Sequence, residues 1–524
     1  MTVRRQPGHA QSARRSLFAA LPAALLVLAA CGSGSTGGNQ AGGGVGDVLT
    51  VVTVASPQSL DPGKAQQNDA WFDQLAYEPL IVRKSDGTMA PGLATSWSYQ
   101  GTDNKTFVLH LRSGVKFSDG STLTAKTVVD HFGYVEKAHG QLAPFLTGDT
   151  FTATGPLTVR ITAAAPNPNF PLLFTQDYIV GGIISAKGLA STAQLGTHTF
   201  GAGPYMLDAS ATVTGDHYTY VPNPNYYDRK DVHWHKVVLK VITNAQSVLN
   251  ALRSGQAQVA VGDPSTIQAA RGGGLTVASA PLLWNGVTLA DRDGTVARPL
   301  ADVRVRQALN YATNRKVIAG ALFTGNGSPV DQVTVPGGYG YDPAMAKAYP
   351  YDPNKAKQLL AQAGYPNGFT LKLVTSEFQQ MNLLAQALGQ QWRQVGVNLR
   401  ITDDANPNQY VSDSFSGKFP AFTTAFGQLP VWMEGPSLFL PPAAYNPFHT
   451  KDATLQSLYD QSSRASGADK TGLDRQIVDH LTRQAWFVPV VSTGLPYYAT
   501  KTVTGVATSV HAPLLSLYEV RPAG

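Results

Sequence analysis

The chain carries one thiol. Cys31 closes the string Leu28-Ala29-Ala30-Cys31, behind Arg14-Arg15 and an apolar run from Leu17 to Ala30 that contains Pro22. A charged start, a short apolar stretch and small residues before a cut site make a secretory leader over residues 1–30. The run is too short to span a membrane, which takes ~20 apolar residues. A thiol at that place is a nucleophile for covalent attachment; the other reading is a leader that happens to contain a cysteine. With no second cysteine there is neither a disulfide framework nor a cysteine-based zinc site. Signatures of enzymes are absent. No G-x-S-x-G and no H-E-x-x-H occurs, and neither Gly63-Lys64 nor Gly417-Lys418 is followed by Ser or Thr as a phosphate-binding loop requires. His233 and His235 flank Trp234 on a candidate strand; Asp231 is the one nearby carboxylate, so an exposed strand face is the simpler reading.

The four residues ending at Cys31 resemble the lipobox of bacterial lipoproteins, in which the cysteine is acylated and becomes the first mature residue. Arg14-Arg15-Ser16-Leu17-Phe18 also resembles a twin-arginine export signal, although Arg4-Arg5 shows that arginine pairs are common here. Beyond Cys31, Gly32 to Gly46 is uncharged and rich in Gly, Ser, Asn and Gln. Such a segment buries no core, and residues 31–47 are expected to be a flexible tether spanning about 20 Å. The expected location is extracytoplasmic, on the cell membrane through lipid on Cys31.

The 524 residues exceed what one hydrophobic core organises, so two or more lobes are expected. The net charge of +6 comes mostly from the leader: without Arg4, Arg5, Arg14 and Arg15, 36 basic residues face 34 acidic ones. No basic cluster points to nucleic acid. Leu49–Val54 and Thr106–Leu111 read as strands. Thr124 is placed to cap a helix with Val128, Phe132 and Val135 on one face. Asp302 caps a second, with Val305, Ala308, Leu309 and Ala312 at i, i+3, i+4 and i+7. Asp352-Pro353 opens a third, stopped by Gly364, and a fourth runs from about Met381 to Gly396. Strands are expected at 237–242, 258–261, 371–374, 397–401 and 488–491. This alternation reads as an α/β fold.

Eight strings, in order, carry a resemblance. They are Ser59-Leu60-Asp61-Pro62, Tyr77-Glu78-Pro79-Leu80, Pro91 to Trp97, Leu111 to Gly120, Thr199 to Tyr205, Pro222 to Tyr227, Asp302 to Ala312 and Tyr351 to Tyr365. Together they resemble the large extracytoplasmic solute-binding proteins of ABC importers, the oligopeptide- and dipeptide-binding family (family 5). Most of them read as scaffold: Asp119-Gly120 and Gly203-Pro204 are turns, Arg304 and Arg306 are expected on a helix surface, and Tyr77 and Glu78 in the frame. The resemblance implies a two-lobed periplasmic-binding-protein-like fold of the large type, with an inserted third subdomain and a hinge between lobes. It places lobe one at 48–283 with the insertion near 77–190, lobe two at 284–486, and a return to lobe one at 487–524.

The implied function is capture of a peptide or peptide-like solute between the lobes and delivery to the permease of an ABC transporter, with no enzymatic activity and no cofactor. Partners would be the solute, the permease subunits and, through the lipid alone, the membrane; the protein would be a monomer that binds no nucleic acid. Peptide-binding members carry a segment resembling W-x-x-D-Y-x-x-P, whose aspartate meets the peptide's ammonium group. With its proline at Pro436, Leu429 stands in the tryptophan's place and Trp432 in the aspartate's, while Glu434 lies two residues on. That departure leaves open a non-peptide solute (a glycan, an aromatic or another small molecule), or a sensor or chaperone using the same cleft. Candidate ligand residues are Trp284 and Asn285, an indole beside an amide at the expected crossover, together with Trp432, Glu434 and Tyr445.

Overall fold

Two mixed sheets organise the chain, and each is assembled from segments far apart in sequence. The computed structural model describes residues 46–141 and 143–524. The leader, Cys31 and nearly all of the expected tether lie outside the described residues. Gly46 and Asp47, expected in the tether, instead open the first strand, Gly46–Thr53, because Gly46 pairs with Trp234.

The first sheet has seven strands in the order 276–278, 497–499, 259–261, 46–53, 234–241, 217–222, 205–207. Strand 46–53 runs parallel to both of its neighbours. The second sheet has six strands in the order 327–329, 487–494, 281–289, 421–427, 369–375, 397–403. Its central strand, Pro281–Leu289, is antiparallel to both flanking strands. A third, four-stranded antiparallel sheet runs 94–100, 106–111, 158–162, 150–155 and lies between the first two strands of the large sheet in sequence.

Sheet membership moves the expected lobe boundaries. The chain leaves the first sheet after Ala278 and enters the second at Pro281, not at Trp284. Phe487–Gly494, expected to return to lobe one, pairs with 281–289 in the second sheet; the return comes at Tyr497–Ala499. Backbone pairing decides both boundaries, and a string-by-string resemblance carries no register.

The helices form where caps and periodicity place them. Thr124 Oγ1 accepts the Thr127 N–H at 3.1 Å and starts Ala125–Ala138, whose Val128, Phe132 and Val135 are buried. Beneath them Phe132 stacks on Phe174 at 5.2 Å, and Phe174 on Phe170 at 5.7 Å. Asp302 and Asp352 cap Val303–Tyr311 and Pro353–Gln362 through the N–H groups of Arg304 and Lys355. Met381–Arg393 buries Leu384, Leu388 and Trp392 against the second sheet. Gly368 and Gly396, both at positive φ, lead into the paired strands 369–375 and 397–403. A Cβ on Gly368 would stand 1.8 Å from the Gly396 carbonyl oxygen, so the approach requires glycine. Arg306, expected on a helix surface, is buried: its guanidinium donates to the carbonyls of Leu300 at 2.7 Å and Gln484 at 3.0 Å. Arg304 does stay on the surface, paired with Asp302.

Glu78 is part of the frame. Its Oε1 accepts the Tyr227 hydroxyl at 2.5 Å, and Arg112 lies 4.7 Å over the Tyr227 ring. Burial pushes the carboxyl from 4.5 up to about 8, against the pull of Tyr227 and Arg112.

Two outcomes follow. Trp392 is fully buried and its indole N–H reaches Thr313 Oγ1 at 3.0 Å. Trp392→Ala will cost about 3–5 kcal/mol, read as a lowered urea midpoint by circular dichroism. For Glu78 the folded pKa is the higher one, so its contribution is complete below about pH 4.5 and is lost as pH rises toward 8. Between pH 5 and pH 8 the wild-type protein will therefore lose on the order of 3 kcal/mol more stability than Glu78→Gln. Equal losses in the two proteins would show that Glu78 is not protonated in the fold.

Candidate functional site

Strands 46–53 and 259–261 run parallel, and their carboxyl ends open on a cavity of about 660 Å³. In open α/β sheets this is the side on which ligands collect. Thr53 to Ser56, Val261 and Tyr497 form its wall at the first sheet, and the helical turn with Asp69, Trp71 and Gln74 lies beside them. Leu282, Leu283 and Gly427 to Pro430 close it from the second sheet. Arg83, Asp177 and Tyr178 enter from the inserted region, and Tyr339, Phe378 and Leu515 from loops.

The turn that carries Asp69 is fixed by its own side chains. Asp69 Oδ1 accepts the Gln58 N–H at 3.0 Å and its Oδ2 accepts the Gln66 N–H at 2.9 Å. Trp71 donates its indole N–H to the Leu515 carbonyl at 2.6 Å, and Gln74 Oε1 accepts the Leu517 N–H at 2.9 Å. The C-terminal segment is thereby pinned along one edge of the cavity.

Arg83 and Asp177 form a buried ion pair at 2.9 Å. Gln176 grips the Arg83 backbone on both sides, accepting its N–H at 3.0 Å and donating to its carbonyl at 2.6 Å. Burial works against the Arg83 charge, but Asp177 and Tyr339 outweigh it and hold the guanidinium above its ordinary range. Burial pushes the Asp177 carboxyl up, and Arg83 opposes that rise. The Arg83 Nη2 to Tyr339 hydroxyl contact, 3.4 Å, links the inserted region to a loop that follows the second sheet's strand 327–329. Opposite, Gln428 Oε1 accepts from Thr334 Oγ1 at 2.9 Å and from the Val335 N–H at 3.2 Å.

The residues singled out in the sequence are placed differently. Trp284 is buried in the second lobe, 5.5 Å from Phe487 and 6.4 Å from Phe426. Asn285 is buried beside it and donates to Thr493 Oγ1 at 2.9 Å. Both sit inside a strand flanked by strands on each side, so the cavity meets that strand at Leu282 and Leu283 instead. Trp432 turns its indole N–H to the Pro166 carbonyl at 3.0 Å. Glu434 is fully buried, neither oxygen has a partner among the described residues, and burial drives its carboxyl well above the usual range. The short helix Val431–Glu434 causes both displacements, since it carries these side chains past the cavity wall that Gln428, Leu429 and Pro430 form. Tyr445 packs among Phe415, Phe422 and Phe426 at 5.1–5.9 Å. None of the five lines the cavity.

The sequence reading missed Arg83, Asp177, Tyr339 and Gln428. Gln428 lies one residue before Leu429, where the segment aligned on Pro436 begins. Arg83 and Asp177 lie 94 positions apart, and no local pattern joins them.

The family model of bacterial extracellular solute-binding proteins, family 5 (middle region), matches residues 88–442. The glutathione-binding protein GsiB of Salmonella typhimurium is 26% identical over 481 residues, covering 87% of this chain and 91% of that protein. GsiB of Pectobacterium atrosepticum is 29% identical over 367 residues, covering 67% and 68%. Among solved structures, HbpA2 from Haemophilus parasuis superposes with a TM-score of 0.80 at 21% identity, covering 91% of this chain and 100% of its own. The unliganded open form of MppA, a periplasmic murein tripeptide binding protein, gives 0.77 at 19% identity, covering 92% and 99%. These neighbours share the two-lobed periplasmic binding fold, and the matched region spans well over half of the sequence. The chain belongs to the family 5 bacterial extracellular solute-binding proteins.

Proposed function

We propose that this protein captures a peptide or peptide-like solute in the cavity between its two sheets and delivers it to the permease of an ABC transporter. The cavity itself carries the reading. Its volume of about 660 Å³ is that of a small-molecule site, which ranges over about 300–1,000 Å³. Its walls come from both sheets and from the inserted region, so a bound solute would touch all three. Closure of the lobes over the solute is a hinge motion, and the solute stabilises the closed form by its higher affinity for it. The relatives named as glutathione-binding, and solved neighbours described as an ABC transporter substrate binding protein and as DppA in complex with the peptide STSA, favour this class. The reading assigns the chain no reaction of its own and a monomeric working state.

A second solute class has its own support. Trp432, in the place where the family resemblance expects an aspartate, points away to Pro166. Neighbours with the same fold are described in complex with agropinic acid and with Fe(III)-EDTA, so the architecture itself accepts solutes other than peptides.

Cys31 supplies the proposed anchor, with the protein held outside the cytoplasm by lipid. Among the described residues no helix is long and apolar enough to cross a membrane. The anchor is tested by fractionation: wild-type protein will sediment with membranes and take up labelled fatty acid, and Cys31→Ser will lose both properties. Retention of label by Cys31→Ser would remove the anchor from the account.

Solute capture is tested by thermal unfolding against di- and oligopeptides, N-blocked peptides, glutathione, oligosaccharides and aromatic metabolites. A true ligand at 100 times its Kd stabilises by about 2.7 kcal/mol, and the melting transition will move up accordingly. A shift with peptides or glutathione supports the first class, and a shift confined to glycans or aromatics replaces it with the second. Hydrolysis or other turnover of the bound compound would overturn the non-enzymatic reading.

A further inference from the structure

Gln428 is 8% exposed and lines the cavity. The orientation of its amide is set by the Val335 backbone N–H, which points at one end and makes it the oxygen; the single Thr334 hydroxyl proton is shared between that end and the Tyr339 carbonyl. A Cβ added to Gly338 would come within 2.6 Å of the Gln428 amide, so Gly338 leaves just enough room for it. The nitrogen is therefore the free end. Nε2 is buried and has no hydrogen-bond partner among the described residues. A buried donor left unpaired is costly, and an acceptor from a bound solute that reached it would recover that cost.

The remaining walls offer no free charge. The charged residues lining the cavity are Asp69, Arg83 and Asp177. Both Asp69 oxygens hold backbone N–H groups, and Arg83 Nη1 pairs with Asp177 Oδ2, which balances the two charges while Arg83 Nε has no partner among the described residues. An ammonium group entering here would lose its water and compete with Arg83 for Asp177, whereas a carbonyl oxygen would gain the Gln428 donor. Glutamines and an asparagine (Gln58, Gln66, Gln67, Asn68) add further amides along the same wall.

We propose that the cavity selects a solute whose end at Gln428 is an uncharged carbonyl-type acceptor in place of a free ammonium group, and that Gln428 Nε2 is the donor that selects it. The inference rests on the reading of this cavity as the solute site. It makes blocked or cyclised peptide-like compounds, and neutral amides generally, the preferred class.

The test is titration calorimetry on the purified full protein with two matched tetrapeptides, one with a free amine and one N-acetylated. Wild-type protein will bind the acetylated form at least tenfold more tightly. In Gln428→Glu one oxygen still accepts from the Val335 N–H, but an acceptor replaces the donor, and the preference will fall or reverse. Gln428→Met, which removes the donor without adding charge, will lose the preference as well; it guards against misfolding of the glutamate variant, and melting curves accompany both. Equal or tighter binding of the free amine by wild-type protein overturns the inference and leaves the solute-binding function standing. So does an unchanged preference in folded Gln428→Met. Should neither tetrapeptide bind, the solute that shifts melting in the wider panel decides: a neutral acceptor supports the inference and a primary amine overturns it. If no solute shifts melting, the cavity reading falls and the inference falls with it.

Discussion

Two backbone segments, 279–280 and 495–496, carry the chain between the sheets side by side, and the cavity depends on their being held together. On one side of the passage, Ala278 pairs with Tyr497 in the first sheet; on the other, Pro281 pairs with Gly494 in the second. Gly494 leaves no room for a side chain, since a Cβ there would stand 2.4 Å from the Ala280 carbonyl oxygen. The two crossings therefore touch backbone to backbone. Leu282 and Leu283 leave one of them and Leu495 and Tyr497 the other, and all four line the cavity. Register in two separate sheets thus fixes where the cleft lies and which side chains face it.

Buried guanidinium groups do much of the joining around this frame, through carbonyl oxygens more often than carboxylates. Arg315 donates to the backbone carbonyls of Val330, Pro489, Asn310 and Tyr349 and to the Asn310 side chain, tying a helix, a strand and two loops of the second lobe. Arg292 lies 4.0 Å over the Trp486 ring and donates to Asn446. Arg83 is the exception that faces the cavity, and it meets a carboxylate, Asp177, already in place. Burying a charge is tolerable when hydrogen bonds surround it, as at Arg315; at Arg292 two guanidinium nitrogens have no partner among the described residues. The outcome at the cavity is a wall in which Arg83 and Asp177 balance each other's charge and Asp69 is held by backbone N–H groups.

Local elements were legible because local physics makes them. Thr124, Asp302 and Asp352 cap helices through N–H groups two or three residues ahead, and Gly364 and Gly396 end them at positive φ. The strand at 106–111 lies where alternation places it. The ordered strings that resemble the family were legible as residue types in order, although several of them meet distant partners: Gly201 and Gly203 lie against the Ala76 backbone, and Tyr227 against Glu78.

What the sequence determined by itself was therefore a subset of the helices and strands, the fold class and the family. The tertiary structure alone decided which side of each flagged segment faces the cavity. Trp284 and Asn285 read as ligand groups because an aromatic beside an amide suits a solute, yet strands on both sides make that position core. Trp432 and Glu434 stood in the right loop, but a single helical turn carries them past the opening and leaves Gln428 there. Arg306 had the spacing of a surface residue and is buried by carbonyls from residues 300 and 484. In each case the deciding partner is distant in sequence. Periodicity reports which face of an element is buried, while the identity of what lies against that face is set by sheet register and chain crossing, which no local pattern encodes.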